Sequence, residues 1–187
     1  MRIRVERTEG VGRITLARPE KRNALDLAAA RELRESLREL AADASVRVVL
    51  LTADGDDFCA GADLTALNAL LGANDAAQLE DAEALGDVFR VMRAMPQVVV
   101  AAVKGRALAG GAGLATACDL VIAHEGARFG YPEVRVGFVP AMVMTLLRRL
   151  TGEKRAFDLV ATGRQVTARE ALELGLVSRV VPASDFD

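Results

Sequence analysis

The chain has no tryptophan, one tyrosine and one histidine, His124. A lone histidine leaves serine–histidine–aspartate chemistry a single candidate base, and no G-x-S-x-G nucleophile elbow accompanies it. His124-Glu125 does not continue into a zinc motif either, because Arg128 stands where the second histidine would be needed. A structural role is therefore expected for His124. Cysteine is scarce too. Cys59 and Cys118 have no metal-ligand neighbours at useful spacing and are expected as buried, reduced thiols, and no metal is expected. Lysine occurs only at positions 21, 104 and 154, and arginine carries the remaining positive charge. With 24 basic and 26 acidic residues the net charge is −2, too little to recruit nucleic acid or an anionic membrane. No run approaches the roughly 18 apolar residues of a membrane span, and "MRIRVERTEG" lacks an apolar signal core. The expected location is cytoplasmic.

What the sequence has in abundance is aliphatic side chains. At 187 residues and 51 % hydrophobic, the chain suits one domain with a large core, needing no staple. "IRVERTEGVGRITLA" reads as two alternating strands around a Glu-Gly turn. "RPEKRNALD" is a loop that ends on Asp26, placed to cap a helix whose Leu33, Leu37 and Leu40 share one face. "VRVVLLTA" and "VVVAAV" are near-continuous apolar runs of the kind found in doubly covered parallel strands. Between them the spacing predicts a helix over about residues 77–94, carrying Leu85, Phe89 and Met92 and stopping before Pro96. "LVIAH" and "VSRVVP" are further strands. "MVMTLLRRL", "KRAFDLVATG" and "TAREALELGL" have helical periodicity. Strand, loop and helix recur in order, which argues α/β with right-handed crossovers.

"GRALAGGAGLATACDL", residues 105–120, crowds small residues where a buried helix would want bulk. It is not a dinucleotide fingerprint, because Thr116 occupies the third glycine position, and it is not a P-loop, because Gly111 replaces the lysine. "DGDD" lacks the terminal glutamate of a calcium loop. What remains is a shared design. "VVLLTADGDDFCAGADL" and "VVVAAVKGRALAGGAGLA" each run from a buried strand through a turn to small residues that open a helix-like segment. Ala62 and Gly110 lie 110 − 62 = 48 residues apart, a spacing compatible with adjacent strands presenting equivalent loop ends. Two convergent N–H groups would form an oxyanion hole, each donor contributing about 3 kcal/mol as charge develops on a bound carbonyl. Close helix–sheet packing would demand the same small residues, and spacing alone does not choose between the two.

"RPEKRNALD", "FCAGADL", "GRALAGGAGLATACDL" and "ARFGYPEVRVGFVP" occur in the order found in the enoyl-CoA hydratase/isomerase, or crotonase, family. The resemblance runs to "ALELGLVSRVVP" and so covers nearly the whole chain. It implies a spiral of ββα turns forming two near-perpendicular sheets surrounded by helices. It also implies an acyl-CoA thioester substrate whose enolate is held by the amides of Ala62 and Gly110, with no separate cofactor, since CoA is part of the substrate. Arg22, Asn23 and Leu25 fall in the loop that clasps CoA. Ala60 and Ala62 fall beside the adenine, and Asp63 and Leu64 continue that wall. Arg22 reads equally well as a solvated loop cation or as a phosphate contact.

Hydratases that this sequence resembles carry two glutamates. The second is present as Glu133 in "GYPEVRVGF", whereas the first falls on Gly113. Glu133 alone could move a proton to and from a water, or between carbons α and γ of the acyl chain. Phe129, Tyr131 and Phe138 beside it would raise its pKa by desolvation. The leading expectation is hydration of a 2-enoyl-CoA to a 3-hydroxyacyl-CoA. The alternatives are an enoyl-CoA isomerase using Glu133 as sole acid/base and a non-catalytic acyl-CoA-binding protein; RNA binding finds little support in the balanced charge. The resemblance further implies a homotrimer or dimer of trimers. Family members continue past the last strand into a helical segment that helps close the acyl pocket. Residues 1–187 are therefore expected as a single core domain without that segment, its acyl specificity set partly by the 65–80 region.

Overall fold

A computed structural model describes residues 2–70 and 72–186. It opens on a hairpin of β1 (Ile3–Thr8) and β2 (Val11–Leu16), closed by Glu9 and Gly10, both at positive φ as a tight hairpin turn requires. Helix α1 (Leu27–Ala42) follows, and the Asp26 carboxylate accepts from Ala29 N–H at 2.8 Å to cap it. Leu33, Leu37 and Leu40 are fully buried, each contributing about 1.5–3 kcal/mol. Gly12 lets this helix settle onto the sheet, since a Cβ there would stand 2.8 Å from both Leu40 methyls.

The remaining elements are β3 (Val48–Ala53), α2 (Leu64–Leu70), α3 (Asp75–Ala94), β4 (Val98–Val103), β5 (Arg106–Leu108), α4 (Gly110–Ala117), β6 (Leu120–His124) and β7 (Arg128–Gly130). Then come α5 (Ala141–Thr151), α6 (Glu153–Thr162), β8 (Gln165–Thr167), α7 (Ala168–Glu173) and β9 (Arg179–Val181). Short 3-10 turns occupy Pro19–Lys21, Pro132–Val136 and Ala183–Asp185. One sheet has the order β1-β2-β3-β4-β6-β9, parallel beyond the first hairpin; the other is β5-β7-β8. The architecture is mixed α/β with two sheets, as expected.

Three details depart from the sequence reading. Strands β3 and β4 alternate between fully and partly buried residues, and Val98 is 44 % exposed, so one face of the sheet is only partly covered rather than both being sealed. The helix around 77–94 begins earlier, at Asp75, because Asn74 accepts from Ala77 N–H and caps it. The stretch before the glycines is not a turn: "RAL" is a strand of the small sheet. The two buried thiols are free, with Cys59 pushed up to about 12 by burial. His124 accepts from Gly126 N–H through Nδ1 and stacks edge-on against Phe186, which uses its ring structurally.

Candidate active site

The carboxyl ends of β3 and β4 feed the two segments that matter. The loop after β3 returns beside β5. Asp57 accepts from Arg106 Nε at 2.8 Å, from Arg106 Nη2 at 2.6 Å and from the Arg106 backbone N–H at 2.9 Å. This charge-assisted fork holds the Asp57 carboxyl below the usual carboxylate range. Cys59 then pairs in parallel with Ala107: Cys59 N–H donates to Arg106 O and Leu108 N–H to Cys59 O. The offset of this pairing, 107 − 59 = 48, equals that between Ala62 and Gly110.

Close contact carries the register forward. Gly61 sits at φ +93° with its Cα against the turn; a Cβ there would stand 2.7 Å from Ala109 Cβ and 2.9 Å from Leu108 O. On the far side, Ala62 pairs with Leu25 through Leu25 N–H to Gly61 O and Asp63 N–H to Leu25 O. In that parallel pattern the N–H of Ala62 itself points away from Leu25. Gly110 is the first residue of α4, where N–H groups have no helical partner. Among the described residues neither the Ala62 nor the Gly110 N–H donates to any group. Ala62 is thus not at a helix start, as its sequence context suggested, but in an extended bridge two residues before α2.

The glycines of the "AGGAG" run now separate by cause. A Cβ on Gly111 would meet Cys59 O at 2.2 Å, and one on Gly113 would meet Val143 Cγ2 at 2.7 Å and Phe89 Cζ at 2.9 Å. These two serve packing. Gly110 is different, since its nearest neighbour would be the flexible tip of Leu85, at 3.2 Å. Close packing therefore requires glycine at 111 and 113 but leaves position 110 more room.

Glu133 lies in the 3-10 turn that follows β7. Its Oε2 is buried and has no hydrogen-bond partner, and desolvation by burial raises its pKa. Phe129 and Tyr131 are buried nearby in sequence as expected, but Phe138 is about half exposed. At Gly113 there is no space for a second carboxylate: Phe89 and Val143 fill it.

The remaining candidates divide by what their side chains do. Asn23 is fully enclosed, donating to Asp54 O and Asp57 O and accepting from Arg18 N–H, and Leu25 is buried. Arg22 alone of the three turns an exposed side chain outward, from a left-handed backbone at φ +51°. Ala60 N–H is tied to Arg22 O, so the two loops run side by side. Asp63 accepts from Thr65 N–H and from Arg18, while Leu64 is 63 % exposed. Arg18 had no signal in the sequence; its guanidinium joins Asp26 at 3.0 Å to Asp63 at 3.2 Å and locks the two loops together. Arg22, Asn23 and Ala109 account for three of the four non-glycine residues at positive φ among the described residues, a concentration of backbone strain typical of functional sites. Among the described residues no cluster of three or more metal-ligating side chains is present, and no helix is long and apolar enough to cross a membrane.

A family model described as enoyl-CoA hydratase/isomerase matches residues 6–187. The chain belongs to that family. A Thermus thermophilus relative, provisionally named an enoyl-CoA hydratase, is 49 % identical over 166 residues, covering 88 % of this chain and 65 % of its own. The 2,3-dehydroadipyl-CoA hydratase of Escherichia coli is 38 % identical, covering 96 % of this chain and 69 % of its own. The crystal structure of a Mycobacterium smegmatis enoyl-CoA hydratase superposes with a TM-score of 0.95 at 37 % identity, over all of this chain and 72 % of that one. The chain therefore spans about two thirds of the length of these family members.

Proposed function

We infer that the protein hydrates a 2-enoyl-CoA to a 3-hydroxyacyl-CoA with Glu133 as the single proton-transfer group. The observation that carries this reading is the Glu133 carboxyl, whose Oε2 is buried without a hydrogen-bond partner, in a chain where, among the described residues, the N–H groups of Ala62 and Gly110 are unengaged. The thioester oxygen would lie between those two amides. The Glu133 carboxylate takes a proton from water as its oxygen bonds to carbon 3, and the electrons of the double bond move onto the thioester oxygen. The resulting enolate is held by the two N–H groups. Glu133 then returns the proton to carbon 2, so atoms and charge balance. CoA would run along residues 22–25 and 60–64, and no cofactor is required beyond the CoA that the substrate carries. The hydratase names of the relatives support this choice of reaction.

A second reading is favoured by the apolar filling at Gly113. With one carboxyl, Glu133 could remove a proton from carbon 2 of a 3-enoyl-CoA and return it to carbon 4, which is isomerisation. Parallel assays with 2-enoyl- and 3-enoyl-CoA esters separate the two. Glu133→Gln is expected to lose turnover about 100- to 10,000-fold while still binding CoA esters. Unchanged turnover in that variant would overturn both readings. Calorimetric binding with no conversion of any thioester would favour a binding protein.

A further inference from the structure

The single tyrosine is enclosed, and its hydroxyl stands 2.6 Å from Thr116 Oγ1. Thr116 Oγ1 is also 2.7 Å from Ala112 O, a carbonyl that can only accept. A threonine hydroxyl has one proton, so Thr116 donates to Ala112 and Tyr131 donates to Thr116. Burial raises the Tyr131 pKa, so the phenol keeps that proton throughout the working range. The relay therefore has a fixed direction.

It also joins two particular places. Thr116 and Ala112 belong to α4, whose first residue is Gly110. Tyr131 follows β7 and is separated from Glu133 only by Pro132, whose ring fixes φ. A second tie, Ala109 N–H to Gly130 O at 2.9 Å, runs beside the first. The helix that presents the oxyanion amide and the turn that presents the acid are thus bolted together.

We propose that Tyr131 is a positioning residue: its hydrogen bond to Thr116 sets where the Glu133 carboxyl stands relative to the Gly110 N–H, keeping Oε2 buried and unpartnered. The proposal rests on Glu133 being the group that moves the proton. Charged groups on the packed elements do not perform this task. Arg135, on the same turn, is exposed, and Arg164 on the neighbouring segment is paired with Asp158 and Glu170. Neither they nor any other charge displaces Glu133 from its ordinary titration; burial does.

Tyr131→Phe is the clean test, because Thr116 keeps its bond to Ala112 and no buried donor is orphaned. Two readings are needed: steady-state kinetics across pH, and the carboxyl ¹³C titration of Glu133 in the free protein. The expected result is a fall in kcat of about tenfold with CoA-ester affinity within about twofold of the parent, and a Glu133 midpoint moved down toward the ordinary glutamate value. Thr116→Ser should retain both readings and Thr116→Val should lose them, which also serves if Tyr131→Phe does not fold. A lowered melting temperature with kcat and midpoint unchanged would overturn the proposal, leaving a merely structural bond. If no thioester is turned over by the parent protein, the functional reading fails, and the ¹³C midpoint still decides whether Tyr131 positions Glu133.

Discussion

Cys59 and Ala107 are paired in parallel, and that single bridge places Gly61 against Ala109 and so brings the Ala62 and Gly110 amides into the same register. The pairing is held at one end by the Asp57–Arg106 fork and at the other by the glycine at 61, whose positive φ and missing side chain allow the contact. Gly61→Ala tests this arrangement. The new methyl would be driven to 2.7 Å from Ala109 Cβ in a conformation that costs an L-residue strain, so a loss of about 2–3 kcal/mol in unfolding stability is expected. Turnover should fall further than CoA-ester binding, because the displaced groups are the proposed enolate donors. Urea melts alongside kcat and Kd measurements check both halves.

Gly113→Glu should not create a two-carboxylate hydratase. Its Cβ would arrive 2.7 Å from Val143 Cγ2 and 2.9 Å from Phe89 Cζ, both buried, so the expected outcome is destabilisation by about 3 kcal/mol or more, with no gain in rate. Combining it with Phe89→Ala and Val143→Ala opens the space, and only the triple variant is expected to show a second acidic group in its pH–rate profile. A stable, faster Gly113→Glu single variant would mean that this apolar filling yields easily.

The contrast between those two glycines shows how far the sequence could be read. The Asp26-capped helix lies in local pattern and stands where that pattern places it, and the 48-residue offset between Ala62 and Gly110 recurs in the pairing of Cys59 with Ala107, whereas only the family resemblance singles out Glu133. Phe89, Gly113 and Val143 meet from three separate helices, and nothing in any one helix announces the other two. The same holds for Arg18, whose partners lie 8 and 45 residues away. Strands β5, β7 and β8 have three residues each, too short for a period-two signal to rise above chance.

The fork itself is expected to answer to pH. Arg106 depresses the folded-state pKa of Asp57, so the stability it contributes is present above the unfolded-state pKa and is lost as pH falls through the folded-state value. Asp57→Asn should cost about 1–2 kcal/mol near neutral pH, toward the low end because the Arg106 side chain is 43 % exposed and screened by solvent. Below the folded-state pKa the parent and variant should converge. Denaturant melts at neutral and acid pH measure the difference, and a gap that stays constant between them would show that charge plays no part in the fork.

Glu133 should behave in the opposite sense. Burial raises its folded-state pKa, so the neutral form suits the fold and the ionised form does not. Its folding contribution is then greatest below the unfolded-state pKa and is lost as pH rises through the folded-state value. Glu133→Gln, which cannot ionise, should match the parent in acid and become the more stable of the two as pH rises, the gap levelling off once the folded-state group has ionised. Activity should run the other way over the same window, because on the proposed mechanism the base that takes the proton from water exists only when Glu133 is ionised. Melting temperatures of parent and variant, set beside the parent's pH–rate profile, check both trends. A parent that gains stability over Glu133→Gln with rising pH would mean that an unseen partner stabilises the carboxylate, and Glu133 would then be a poor proton acceptor at the site.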